Sequence, residues 1–126
     1  MISLKEIVEK TGADAAAVMV PHATEPYLFC KESYNCPAEW GPLKNPLDTS
    51  TANGRVYLSG KPEAGHHVDV ELVGRLISSV IIVPVTSNGK VIANLELIIM
   101  NKNKTFSAEA QQSAEYFAKT LVDELV

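Results

Sequence analysis

Residues 78–99 run SSVIIVPVTSNGKVIANLELII, two strongly apolar stretches joined through Asn88-Gly89. Asn-Gly is the preferred pair for a two-residue type I′ turn, because both positions must take positive φ. The segment is therefore expected to be a β-hairpin. Side chains alternate along a strand, so a hairpin that is apolar at consecutive positions has to be covered on both faces.

An unbroken ladder from that turn places Ser87 opposite Lys90, Val85 opposite Ile92, Val83 opposite Asn94 and Ile81 opposite Glu96. One face then holds Val80, Ile82, Pro84 and Thr86 with Val91, Ala93, Leu95 and Leu97, and is expected to lie under helices. The other holds Ser79, Ile81, Val83 and Val85 with Ile92, Asn94, Glu96 and Ile98. Asn94 and Glu96 interrupt this second face, so its cover cannot be purely apolar. Pro84 has no N–H to donate. Opposite Ala93 in this register, it turns that missing donor outward, so the strand beyond it must be short or offset.

The rest of the chain supplies the covers. Ser3 and Glu6 form a capping box, with Ile2 and Ile7 placed for a hydrophobic staple and Gly12 as the stop of a first helix. Residues 15–22 and 25–33 are expected to be two strands, antiparallel because their link is so short. Between Tyr34 and Ser50, Pro37, Pro42, Pro46 and Gly41 break any periodicity, and Trp40 is expected to anchor this loop on the core. A helix is expected from the N-caps Asp48, Thr49 and Ser50 to the stop at Gly60 and Pro62, despite Asn53-Gly54 inside it. A short strand near 66–70 and a helical turn or loop at 71–76 follow. Ser107 is expected to cap a last helix whose stripe is Ala110, Ala114, Phe117, Ala118, Leu121 and Leu125, with Glu109 in its first turn. Strands joined by hairpins and flanked by helices make an α+β class with a mainly antiparallel sheet.

Composition excludes several function classes. At 126 residues, 46% hydrophobic and 21% charged, the chain suits one folded domain spanning 1–126. A net charge of −4 with Lys and Arg scattered argues against nucleic acid as a partner. No segment reaches transmembrane length and no secretory leader is visible, so neither a membrane nor export is expected. Cys30 and Cys36 have no zinc or C-x-x-C spacing, and a reducing cytoplasmic setting is the default.

The order and spacing of three stretches resemble the GAF domain family. These are the hairpin, with its S-x-x-x-V-P-V strand and V-I-A-N-L-E-L return, PLDTSTANGRVYLSGKP upstream, and NKNKTFSAEAQQSAEYFA as closing loop and helix. The resemblance implies a central antiparallel sheet of five or six strands, terminal helices on one face, and a small-molecule pocket under a loop and helix cover on the other. It implies a sensing or signalling module that acts through a homodimer or a separate signalling protein, with no particular cofactor indicated. The cyclic-nucleotide members' N-K-x(n)-F-x3-D-E signature is matched by Asn101, Lys102 and Phe106, but its acidic pair is replaced by Ala110 and Gln111. That argues against a cyclic nucleotide. The free methionine sulfoxide reductases are an enzymatic branch of the same fold, and a thiol pair such as Cys30 and Cys36 keeps that alternative open. A dimerisation module without ligand is a third alternative.

The candidate ligand-binding residues are Asp48, Thr49, Ser50, Thr51, Arg55, Ile81, Val83, Asn94 and Glu96, in a pocket between the sheet and segment 36–76. Asn94 and Glu96 would hydrogen-bond a polar ligand group, or else backbone of the cover. The free N–H groups at residues 48–51 suit an anion, although plain N-capping is the commoner role. Arg55 would add charge to such a ligand or stand in solvent. His66 and His67 alternate sides if they lie in a strand, which disfavours joint metal ligation. Val122 and Leu125 fall beside the last helix's stripe and would extend an apolar surface for a second copy.

Overall fold

The computed structural model describes residues 3–126. Helix α1 (Leu4–Thr11) starts where expected: the Ser3 hydroxyl accepts from the Glu6 N–H at 3.3 Å. It ends on Gly12 in the left-handed conformation, whose N–H returns to the Val8 carbonyl. Ile2, the other half of the expected staple, lies outside the described residues.

Strands β1 (Ala15–Pro21) and β2 (Tyr27–Tyr34) pair antiparallel. A two-residue strand β3 (Asn45–Pro46) and helix α2 (Ala52–Ser59) follow, with a 3₁₀ turn at Ala38–Trp40 before them. Then come β4 (Glu63–Gly65), β5 (Val70–Leu72), β6 (Arg75–Ile77), β7 (Ser79–Ser87), β8 (Lys90–Ile99) and α3 (Ala110–Leu125). Six strands form one antiparallel sheet in the order β3-β2-β1-β8-β7-β4, while β5 and β6 make a separate hairpin.

The α+β class and the antiparallel sheet are as expected, with three local corrections. Residues 71–76 are a β-turn-β element rather than a helical turn. The N-cap of α2 is Thr51, not Asp48, Thr49 or Ser50; its hydroxyl accepts from the Gly54 N–H at 3.1 Å. Ser107 does not cap α3 with its side chain; its backbone receives the Ala110 N–H instead.

The larger correction is in the hairpin. Asn88 and Gly89 both have positive φ, as a type I′ turn requires, and Ser87 faces Lys90. The ladder then slips by one residue between Val85 and Thr86, where Ile92 is the extra residue on β8. Beyond the bulge Val85 faces Ala93, Pro84 faces Asn94, Val83 faces Leu95, Ile82 faces Glu96 and Ile81 faces Leu97. The slip exchanges the two faces of β7. Ile81, Val83 and Val85 join Ala93, Leu95 and Leu97 under α1 and α3 in the main core, while Val80, Ile82 and Pro84 share the face of Asn94 and Glu96. An all-apolar face is thereby sorted from a mixed one.

The main core adds Leu4, Ile7 and Val8 of α1 and the α3 residues Ala110, Ala114, Phe117, Ala118 and Leu121. Val122 and Leu125 pack on its edge, half-buried, rather than extending an open apolar surface. As Pro84 requires, β4 is short: it pairs with Val80 to Ile82 and stops before the proline.

The β5–β6 turn carries a strained residue. Val73 has φ +50° beside Gly74 at φ +75°, and is 54% exposed. A β-branched residue in this region costs about 1–2 kcal/mol, and nothing packs the side chain in return. Val73→Asn gives the turn the Asn-Gly pair it favours. It is expected to stabilise the protein by about 1 kcal/mol, read as a higher urea midpoint at unchanged slope.

Candidate functional site

The face of the sheet away from α1 and α3 is built in rows by the strand register. Ser33, Ala17, Glu96 and Ile82 lie side by side across β2, β1, β8 and β7. The next row is Cys30, Met19, Asn94 and Pro84. The small side chain at Ala17 leaves open space above the middle of the sheet, while Ala15 seats Trp40. Over that space arch the loop from Cys36 to Asn45, the first turn of α2 and the β5–β6 hairpin. They enclose a cavity of about 340 Å³, within the range of small-molecule sites. Its floor includes Ala17, Met19, Glu96 and Ile98, and its cover includes Trp40, Leu43, Asn53 and Leu72.

Two anchors hold the cover. Trp40 is 8% exposed, packs with Ala15 and Ile98, and donates its indole N–H to the Leu72 carbonyl at 2.8 Å. The loop anchor expected from the sequence is thus also a clasp for the β5–β6 hairpin. An exposed Arg75–Glu39 ion pair at 3.3 Å lies beside it. The second anchor is Asn53. Asn94 is 0% exposed and donates its amide to the Asn53 carbonyl at 2.8 Å and to Asn53 Oδ1 at 3.1 Å. Asn53 in turn offers Nδ2 to Glu96 Oε1 at a long 3.4 Å. The amides are therefore oriented in a chain from Asn94 through Asn53 to the carboxyl at the cavity floor. Asn94 Oδ1 is buried and receives no hydrogen bond from the protein.

Glu96 is half-buried and meets solvent through the cavity. Burial pushes its carboxyl pKa up, and the Asn53 hydrogen bond only partly opposes this. A carboxyl raised in the folded state makes no electrostatic demand below its ordinary value of 4.5, where both states are protonated. Between 4.5 and the raised value the unfolded chain ionises while the folded carboxyl keeps its proton, so stability falls over that interval and the loss is complete above the raised value. Glu96→Gln is expected to melt like wild type at acid pH and above it at neutral pH, the gap widening upward from 4.5. Thermal melts of both proteins across pH 4 to 8 check this.

Of the residues singled out from the sequence, Thr51 and Glu96 line the cavity and Asn94 supports it through Asn53. Asp48, Thr49, Ser50 and Arg55 do not line it. Asp48 accepts from the Ser50 N–H and hydroxyl, which holds its carboxyl below the usual range. Arg55 makes an ion pair with Glu63 at 3.0 Å and donates to the Thr49 carbonyl, both near the surface. Ile81 and Val83 are in the helix-covered core, moved there by the bulge. Asn53 was not among them; an Asn-Gly pair in the first turn of a helix is locally unfavourable and so marks a tertiary role. Cys30 and Cys36 both line the cavity as free thiols, donating to the Glu32 and Ala16 carbonyls. Burial pushes both thiols up, Cys36 to about 12.

Solved structures with this architecture are numerous. The second GAF domain of DevS from Mycobacterium smegmatis superposes with a TM-score of 0.77 at 23% identity, over 97% of this chain and 86% of that one. The chain has the GAF fold. A GAF domain from an Acinetobacter phosphoenolpyruvate-protein phosphotransferase gives a TM-score of 0.77 at 14% identity, covering 97% of this chain and 76% of that one. A type II free methionine-R-sulfoxide reductase from Thermoplasma acidophilum gives 0.77 at 16% identity, covering 97% and 85%. No family model and no curated protein sequence matches the chain. The GAF fold expected from the sequence is therefore carried by backbone architecture and by the order of its elements. Among the described residues, no helix is long and apolar enough to cross a membrane.

Proposed function

We propose that this GAF-fold chain is a small-molecule-sensing signalling module whose ligand occupies the cavity between the sheet and the cover at residues 36–76. One observation carries the reading: a mostly apolar cavity of about 340 Å³ has at its floor a carboxyl tied to a buried Asn–Asn pair. Buried polar groups are costly, and a polar cluster facing an open cavity is the usual means of orienting a ligand. Output runs through a second copy of the chain or a separate signalling protein.

The test is a thermal-shift screen of small metabolites on wild type and on Ala17→Leu, which fills the floor of the cavity without touching the helical core. Compounds that raise the wild-type midpoint are expected to leave Ala17→Leu unmoved. A panel that shifts neither protein favours a dimerisation module without ligand.

A second reading has one observation in its favour: Cys30 and Cys36 both face the cavity, and free methionine-R-sulfoxide reductases share the fold. The same burial works against it, because the reacting species is the thiolate and both thiols are held protonated. Turnover of free methionine-R-sulfoxide with a thiol reductant, lost in Cys30→Ser or Cys36→Ser, would establish the enzyme.

A further inference from the structure

The hydrogen-bonding groups around the cavity are unbalanced. Glu96 can accept at about four lone-pair sites when ionised, yet the protein gives it one donor, the Asn53 amide at 3.4 Å. None of the three ion pairs among the described residues involves Glu96. Two positions along β8 on the same face, but outside the cavity lining, buried Asn94 Oδ1 is a second acceptor without a protein donor. Asn53 is the one lining side chain that hydrogen-bonds the carboxyl; Ser33, Asn45 and Thr51 also line the cavity without bonding it. Trp40 Nε1 goes to the Leu72 carbonyl, and the Cys30 and Cys36 thiols go to backbone carbonyls. Lys44 contributes to the cavity wall, but its Nζ lies 4.9 Å from the centre of the Tyr27 ring, engaged with that face. The lining is mostly apolar, with Ala17, Met19, Trp40 and Ile98 on it.

We propose that the cavity takes a ligand with a donor-rich cationic nitrogen, a primary ammonium or amidinium, set on Glu96 with an apolar body against Met19, Trp40 and Ile98. This rests on the cavity being a ligand site and names the chemistry it selects. A carboxylate short of donors in an apolar surround repels anions and gains most from a charge-assisted N⁺–H···O⁻ bond. The upward push that burial gives Glu96 in the empty site has the same origin, and a bound cation reverses it. Asn53 is a positioning residue here: pinned by Asn94, it holds one carboxyl oxygen and leaves the other free for the ligand.

Three probes of one shape decide the matter: 2-phenylethylamine, 2-phenylethanol and phenylacetate, titrated calorimetrically into wild type and Glu96→Gln at fixed ionic strength and neutral pH. The amine is expected to bind wild type at least about tenfold more tightly than the alcohol, and phenylacetate most weakly. In Glu96→Gln the amine is expected to fall to the alcohol's affinity, with the alcohol little changed. If the alcohol or the acid matches the amine on wild type, the cationic preference is wrong while the cavity remains a ligand site. Binding of none of the three also overturns the preference, and the ligand reading then stands or falls on the metabolite screen alone. The comparison on wild type does not depend on the variant's folding.

Discussion

Gly54→Ala is expected to destabilise the protein by about 3 kcal/mol, although alanine is the better helix former by about 1 kcal/mol. A methyl group on Gly54 would lie 2.0 Å from the Asp48 carbonyl oxygen and 2.7 Å from that of Pro46. Both are backbone atoms, so no side chain can swing aside. Relief requires the first turn of α2 to lift from the 46–48 strand end, which carries Asn53 away from Asn94 and loosens the hold on Glu96. Urea denaturation gives the stability change. A shift of the Asn94 side-chain amide resonances in NMR spectra would report the lifted turn. A stable Gly54→Ala protein with an unchanged Asn94 amide would contradict the close approach of these segments.

Trp40→Ala is the second large effect. Truncating a buried tryptophan costs about 3–5 kcal/mol when the site cannot collapse. Here the ring already borders an open cavity, so water can enter the vacated space and the cost should fall at about 3 kcal/mol, the lower end. The distinctive consequence is local. The Leu72 carbonyl loses its partner and the β5–β6 hairpin loses its clasp, so limited proteolysis is expected to cut residues 66–76 faster. Trp40→Phe separates the contributions: it keeps most of the apolar contact and gives up the N–H, a loss of about 1 kcal/mol. If Trp40→Ala leaves proteolysis of the hairpin unchanged, Trp40 is a core residue only.

These effects arise where local rules fail, and the same places limit what could be read in the sequence. The helices were legible because their ends carry chemistry: Ser3 and Gly12 on α1, Gly60 on α2, and the spaced stripe of α3. The turn at Asn88-Gly89 was legible for the same reason. The bulge at Ile92 was not, because β7 alternates one apolar residue with another and both faces accept it in either register. Only the uneven β8, with Asn94 and Glu96 on one side and Leu95 and Leu97 on the other, decides which half of β7 goes inward. Hence Glu96 lies on the cavity face as expected, while Ile81 and Val83, expected beside it, lie in the helix-covered core. Asp48, Ser50 and Arg55 illustrate a different limit. Ser50 bonds Asp48 and Arg55 bonds Glu63 and the Thr49 carbonyl at the surface, and local sequence does not reveal which side of a short helix turns to the sheet. Asn53 turns that way because Gly54 lets the backbone come close.

The proposed ligand site is the space above Ala17 and Glu96. Native mass spectrometry of wild type and Ala17→Leu, each with the metabolite that gives the largest thermal shift, tests it most directly. A one-to-one complex with wild type and none with Ala17→Leu is the predicted result. Equal binding by both proteins would place the ligand outside the cavity and contradict the claim.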